Sequence, residues 1–212
     1  MRIIGLTGSL GTGKTLVAGM FRDLGARIID ADRITHQLLT PGQICYRKVV
    51  RCFGRDICSG NKIDRRKLAA RVFNDPKQRR RLERLIHPEV RKVVRKKIRI
   101  YGNRPTVRAV VLDVPLLFEA GWQTMVDVTV MVMAKQAIQL QRMSRKTGMT
   151  RKEALGRIRA QISQQKKSAC CDYVIHNNGS IKETEEQVLH IWKKILDPGR
   201  TTLRGICRRS AR

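Results

Sequence analysis

Gly8-Ser9-Leu10-Gly11-Thr12-Gly13-Lys14-Thr15 follows directly on the apolar run Ile3-Ile4-Gly5-Leu6. The octet has the form G-x-x-x-x-G-K-[ST], and each fixed residue type has a task. Glycines let successive backbone N–H groups curl around phosphates, the lysine reaches the β- and γ-phosphates, and the threonine hydroxyl ligates Mg²⁺. Here the nucleotide-binding set is Gly8, Leu10, Gly11, Thr12, Gly13, Lys14 and Thr15. Four fixed positions match by chance in roughly one chain in a hundred of this length. The context also fits: an apolar strand runs in, and Thr15-Leu16-Val17-Ala18-Gly19-Met20-Phe21 runs out as a helix whose N-terminus favours anions. A glycine-rich strand-to-helix turn that binds nothing is the plain alternative, and this context argues against it. The octet predicts an α/β protein with a P-loop NTPase-type parallel sheet flanked by helices.

Outward from the loop, strands and helices alternate as such a sheet requires. The first helix is expected to end near Leu24, with Gly25 after it as a C-terminal cap. Arg27-Ile28-Ile29 is a short strand that delivers Asp30-Ala31-Asp32. From Arg33 to Gly102 almost everything reads as helix in several pieces, with Asp64 and Asp75 as N-caps and Pro76 at a first helical position. The sheet resumes with Val107 to Leu112, closed by Asp113, and with Val126 to Met133. Gln136 to Lys146 reads as helix, and the capping box Thr150-Arg151-Lys152-Glu153 opens another, expected to run to about Gln164. Asp172 to His176 is a last strand and Ser180 caps a final helix, in which Val188, Leu189, Ile191, Trp192, Ile195 and Leu196 form one apolar face.

Composition bounds the rest. With 212 residues, 42% of them hydrophobic, the chain can bury one sizeable core and a small inserted subdomain. No run approaches the roughly 18 apolar residues of a membrane helix. The loop begins within the first ten residues, leaving no room for a leader ahead of it, so a cytoplasmic location is expected. Six cysteines (45, 52, 58, 170, 171 and 207) show neither C-x-x-C nor zinc spacing and are expected to be reduced thiols. Net charge is +28 and uneven: Arg47 to Arg104 holds 21 Lys and Arg against five Asp and Glu, and Arg200 to Arg212 holds five arginines and no acid. Such a field attracts phosphorylated ligands, nucleic acids or anionic surfaces without choosing among them. The excess over one substrate's phosphates predicts weak, sequence-independent nucleic-acid binding that decays between low and physiological salt.

Three further places can carry chemistry. Asp30 and Asp32 lie past a strand end, where open α/β sheets place ligands, and alternate spacing on an extended backbone turns only one of them to the phosphates. A carboxylate there can accept the proton of an attacking hydroxyl, whereas a helix N-cap by Asp32 is the structural alternative. Asp113 closes its strand in the manner of a Walker-B carboxylate beside Mg²⁺, a pattern that an ordinary strand end also gives. Arg142, Arg145 and Arg159, in the helical pair around Gly148, can close on a triphosphate, although many arginines of so basic a chain are solvated.

At this point the segments together resemble the dephospho-CoA kinase family over nearly the whole chain. They are Gly5-Leu6-Thr7-Gly8 with the phosphate loop, Ile29-Asp30-Ala31-Asp32, Ile63-Asp64-Arg65, Val72-Phe73, His87-Pro88 and Asp113-Val114-Pro115-Leu116-Leu117-Phe118-Glu119. Gln139-Leu140-Gln141-Arg142, Arg157-Ile158-Arg159-Ala160-Gln161, Asp172-Tyr173-Val174-Ile175 and Asn177-Asn178-Gly179 complete them. The resemblance implies transfer of the ATP γ-phosphoryl to the ribose 3′-hydroxyl of dephospho-CoA, with Mg²⁺. It implies Lys14, Asp32 and Arg142 as catalytic residues, with Asp32 as the base, and Thr15 and Asp113 at the metal. Asn177 goes to the ATP side, and Asp32, His87, Pro115, Leu116, Leu117, Phe118, Glu119 and Arg159 go to the acceptor, although a structural turn explains His87-Pro88 equally well. The implied partition is residues 1–32 and 105–198 as kinase core with a lid at about 142–165, residues 33–104 as CoA-binding insert, and 199–212 as a basic tail. A monomer or weak oligomer is expected.

The chain departs from the family pattern where Lys or Arg replaces acids in the insert and lid, at His176 before the asparagine turn, and at Cys170-Cys171. None of these touches the phosphate loop, Asp32 or Asp113. Two rival readings are a P-loop kinase for a nucleoside or nucleotide, which would not need Asp113 to Glu119 as written, and a nucleic-acid-binding P-loop protein, which charge alone suggests.

Overall fold

The computed structural model describes residues 1–73 and 75–197, so the arginine-rich tail and Cys207 lie outside the described residues. In chain order the elements are β1 (Arg2–Gly8), α1 (Lys14–Asp23), β2 (Arg27–Asp30), α2 (Ala31–Leu38), α3 (Ile44–Phe53), β3 (Cys58–Ser59), β4 (Lys62–Ile63), α4 (Arg65–Phe73) and α5 (Pro76–Gly102). Then follow β5 (Ala109–Asp113), β6 (Val128–Met133), α6 (Gln136–Thr147), α7 (Arg151–Arg159), α8 (Gln164–Ser168), β7 (Tyr173–His176) and α9 (Ile181–Leu196). Two compact units result. One is Met1–Ile29 with the chain from Arg104, and the other is Asp30–Asn103.

In the first unit the sheet has the strand order β2-β5-β1-β6-β7. β1 is central and pairs in parallel with β5 and β6, and β7 pairs in parallel with β6. Strands of a parallel sheet must be covered on both faces, and these read as continuous apolar runs for that reason. Ile4, Leu6, Val111, Val130, Val132 and Ile175 face one layer, packed on Val17 and Phe21 of α1 and on Val188, Ile191, Trp192 and Ile195 of α9. The alternate residues Val110, Leu112 and Met131 are fully buried too. Rings of Phe21 and Trp192 meet at 6.1 Å with a 51° tilt, which joins the two helices. The apolar face of α9 read from the sequence is therefore its packing face, apart from Leu189, which is 40% exposed.

Local signals place most boundaries. Gly25 adopts φ 98 just after α1, a conformation cheap only for glycine. Thr150 and Glu153 make the reciprocal capping box of α7, and Ser180 caps α9 through the Glu183 N–H. The helix expected to run from Thr150 to about Gln164 instead stops at Arg159, and Ser163 caps a separate α8 by accepting from the Lys166 N–H. A serine inside an apparently continuous helical stretch restarted the helix there.

The second unit is mostly helical, as its sequence predicts, but Cys58–Ser59 and Lys62–Ile63 form a small antiparallel hairpin that the sequence reading missed. Asp64 caps α4 by accepting from the Arg66 and Lys67 N–H groups, which hold its carboxyl below the usual range. Asp75 caps α5 in the same way, and Pro76 takes the first helical position. Lys48 of α3 bonds Glu89 of α5 at 2.8 Å, and the bond lowers the Glu89 pKa.

Candidate active site

The loop between β1 and α1 is a glycine-rich turn whose Thr12 N–H closes back on the Ser9 carbonyl at 3.2 Å. Gly11 and Gly13 have φ 77 and φ 89, left-handed values that turn consecutive peptide N–H groups inward. At Gly11 a Cβ would lie 2.7 Å from the Gln139 carbonyl oxygen, and at Gly8 one would lie 2.8 Å from both Thr12 Oγ1 and the Val132 carbonyl oxygen. Glycine is therefore required by space as well as by angle. The first N–H groups of α1, at Lys14 and Thr15, lack intrahelical acceptors by helix geometry and complete an anion cradle.

The loop is braced from behind. Thr12 is fully buried and donates its hydroxyl to the Ser9 carbonyl at 2.8 Å. Its own carbonyl accepts the Asn177 side-chain amide at 2.8 Å and an Arg142 guanidinium N–H at 3.3 Å. Asn177 Oδ1 in turn accepts from Thr184 Oγ1 at 3.2 Å and from Arg142 at 3.4 Å. Gln139, wholly buried, donates to the Leu10 carbonyl at 2.6 Å. The family resemblance puts Asn177 on the ATP and makes Arg142 a catalytic arginine of the lid. In the structure Asn177 is 2% exposed beneath the loop, and Arg142 is tied to the same carbonyl, so both hold the loop's shape. Gln139 was missed as a site residue, although its spacing of three from Arg142 on one helix places them on one face.

At the loop's front, Lys14 Nζ forms an ion pair with the Asp113 carboxylate at the end of β5. Asp113 is 7% exposed, while Thr15 is exposed at the start of α1. The predicted phosphate lysine and the predicted metal carboxylate thus meet. Oxygen atoms of Thr15 and Asp113 are hard donors of the kind that could hold a divalent cation beside phosphate oxygens and water. Among the described residues no three His, Cys, Asp or Glu side chains cluster as a metal cage.

Beyond Asp113, the segment Pro115–Glu119 is fastened at both ends. The Pro115 carbonyl accepts from Thr7 Oγ1 at 3.0 Å and from Lys167 Nζ at 3.3 Å. Lys167 has no exposed side-chain area and pairs with Glu119 at 2.7 Å. Glu119 also accepts the Ile162 N–H at 3.2 Å. Lys167 was not foreseen, because a lysine in Gln164-Gln165-Lys166-Lys167 looks like a solvated one. Leu116 is 40% exposed, whereas Leu117 is fully buried. A Cβ on Gly5 would come within 3.1 Å of the Leu117 side chain, so Leu117 packs onto β1 and does not line an open site as expected. Phe118 is half-buried and Arg159 exposed at the last position of α7.

Three other predicted residues lie in the second unit. Asp30 ends β2 and caps α2 by accepting the Arg33 N–H at 2.9 Å. The cap is therefore Asp30 and not Asp32, and the extended backbone assumed for the pair is helical from Ala31 onward. Asp32 stands exposed in the first turn of α2. His87 is half-buried on α5, and desolvation, reinforced by Arg91 and opposed by Glu83, pushes its pKa down.

A family model described as dephospho-CoA kinase matches residues 2–183. A dephospho-CoA kinase of Carboxydothermus hydrogenoformans is 44% identical over 193 residues, covering 91% of this chain and 93% of the relative. That of Syntrophotalea carbinolica is 38% identical over 200 residues, covering 94% of each. A crystal structure from Thermus thermophilus superposes with a TM-score of 0.81 at 33% identity, covering 90% of this chain and 95% of that one.

Proposed function

The chain belongs to the dephospho-CoA kinase family, and we propose that its phosphate loop, Lys14, Asp32 and Asp113 carry the transfer of the ATP γ-phosphoryl to the ribose 3′-hydroxyl of dephospho-CoA. The observation that carries this assignment is the meeting of Lys14 and Asp113 at the mouth of the glycine cradle.

Phosphoryl transfer demands little covalent work from the protein and much positioning and charge neutralisation. The cradle N–H groups fix the phosphates, and Lys14 exchanges the Asp113 carboxylate for phosphate oxygens as charge builds in the transition state. Thr15 and Asp113 would hold Mg²⁺, which lends Lewis-acid stabilisation to the phosphates when bound. Arg142, Asn177 and Gln139 keep the loop carbonyls turned away, so that the N–H groups point at the ligand. Asp32 orients the acceptor hydroxyl and takes its proton. Its neighbour Asp30 is committed to capping, which supports giving the base role to Asp32. Pro115 to Glu119 and Arg159 serve the acceptor side, with Leu116 and Phe118 as the contact residues. The five described cysteines are free thiols, which suits a reducing, cytoplasmic setting. Among the described residues no helix is long and apolar enough to cross a membrane.

The test is purified protein with Mg-ATP and a panel of acceptors including dephospho-CoA, nucleosides and shikimate, read by mass spectrometry. Dephospho-CoA alone should gain one phosphate. The variant Asp32→Asn should lose at least roughly a hundredfold in kcat with little change in the KM for ATP. Intact kcat with lowered stability would remove Asp32 from the chemistry.

A further inference from the structure

Helix α5 carries a charge arrangement that the transfer reaction does not use. Its buried residues Ile86, Glu89, Val90 and Val94 define the inward side. At 3.6 residues per turn, Arg80, Arg81, Arg84, Arg95 and Arg99 fall within an arc of about 100° on the opposite side. All five are exposed. They form two groups, 80/81/84 and 95/99, whose nearest members are about 16 Å apart along the axis and whose extremes span about 28 Å. The helix has two carboxylates, and both are engaged elsewhere: Glu83 pairs with Arg79 at 3.7 Å, and Glu89 holds Lys48 at 2.8 Å and Lys92 at 3.4 Å. Among the described residues none forms an ion pair with any of the five arginines.

Arg80 with Arg84, and Arg95 with Arg99, are like charges at i,i+4, a spacing that weakens a helix left to itself. From Asp30 to Asn103 there are 21 Lys and Arg against seven Asp and Glu, a net +14 that no single small substrate neutralises. A bound polyanion removes both penalties. We propose that the solvent face of α5 binds duplex nucleic acid through its phosphates, with Arg80, Arg81 and Arg84 on one backbone row and Arg95 and Arg99 on the other. The gap between the groups, with the reach of the guanidinium groups, suits rows flanking a major groove of about 12 Å. No aromatic side chain lies within the arc, so a single strand gains no stacking and follows only one row. Phosphate contacts carry no sequence information, so binding is indifferent to sequence.

The experiment is fluorescence anisotropy on the full chain with a 20-bp DNA duplex, the same sequence as a single strand, and vesicles rich in anionic lipid. Duplex affinity should fall with a log–log salt slope near −4, roughly 250-fold between 50 and 200 mM salt. Replacing Arg80, Arg84, Arg95 and Arg99 by Gln should flatten that slope by about 3 to 4 while circular dichroism stays unchanged. Arg95→Gln with Arg99→Gln alone should flatten it by about half as much. A control with Gln at Arg27, Lys182, Lys193 and Lys194, exposed residues off this helix, loses the same net charge and should keep most of the binding. Equal loss in the control, tighter binding of the single strand or of the vesicles, or displacement of the duplex by stoichiometric dephospho-CoA would each overturn the proposal.

Discussion

Single residues of this site tolerate little, for reasons of space before chemistry. Gly13 has φ 89, and a Cβ there would run into the Asn177 amide that supports the loop. Gly13→Ala should therefore cost about 1–3 kcal/mol of stability and most of the ATP affinity, measured by thermal melting and calorimetric titration. Lys14→Ala removes a charge that acts on the developing phosphates and nothing from the core. Its turnover should fall by roughly 10²–10³ in a protein that still folds, with a melting temperature a few degrees lower because the buried Asp113 loses its ion-pair partner. Lys167 is the opposite case, a charge sealed inside against Glu119 and the Pro115 carbonyl. Lys167→Ala leaves that carboxylate partnered only by a backbone N–H, so a loss of about 3 kcal/mol is expected, seen as a melting temperature lower by roughly 6–12 °C. Cys171 has no such part to play. Burial pushes its thiol up to about 12, which keeps it protonated and unreactive.

At the scale of elements, α5 ties its stability to pH. Burial lowers the His87 pKa, so folding holds the ring neutral and the unfolded chain binds the proton more readily. Its contribution is complete above about pH 6.5 and declines as pH falls toward the folded value. Glu89 is lowered by its bond to Lys48, so its contribution is present above about pH 4.3 and is lost as pH falls through its folded pKa. Denaturant midpoints should thus fall in two stages on acidification, and His87→Gln should abolish the first. Much at this scale was legible in the sequence: strands as apolar runs, caps at Asp64, Asp75, Thr150 and Ser180, and a phosphate loop whose glycines admit one geometry. What stayed hidden depends on tertiary partners. The cap passed to Asp30 because the helix began one residue after it, and Lys167 and Asn177 owe their roles to groups 48 and 165 residues away, at Glu119 and Thr12. The hairpin at Cys58–Ser59 and Lys62–Ile63 has two residues per strand, too few to show a period.

For the whole molecule, a net charge of +28 makes self-repulsion a general term in stability. Raising NaCl from 20 to 200 mM shortens the screening length from roughly 20 to roughly 7 Å. The melting temperature should rise by several degrees over that range, and a flat response would mean that the charges are locally compensated. The sheet has a further property that emerges in time. Its central strand, β1, is made first, but both of its hydrogen-bonded neighbours, β5 and β6, begin only at Ala109 and Val128. At about 5–20 residues per second a ribosome needs roughly 5–20 s to supply the first of them. Throughout that interval the segment Ile3-Ile4-Gly5-Leu6 is a nascent strand without its native neighbours, while the helices from Ala31 to Gly102 emerge and can pack among themselves. The order of synthesis therefore exposes the sheet's most central edge longest, and during translation this strand is the one a chaperone has most reason to hold.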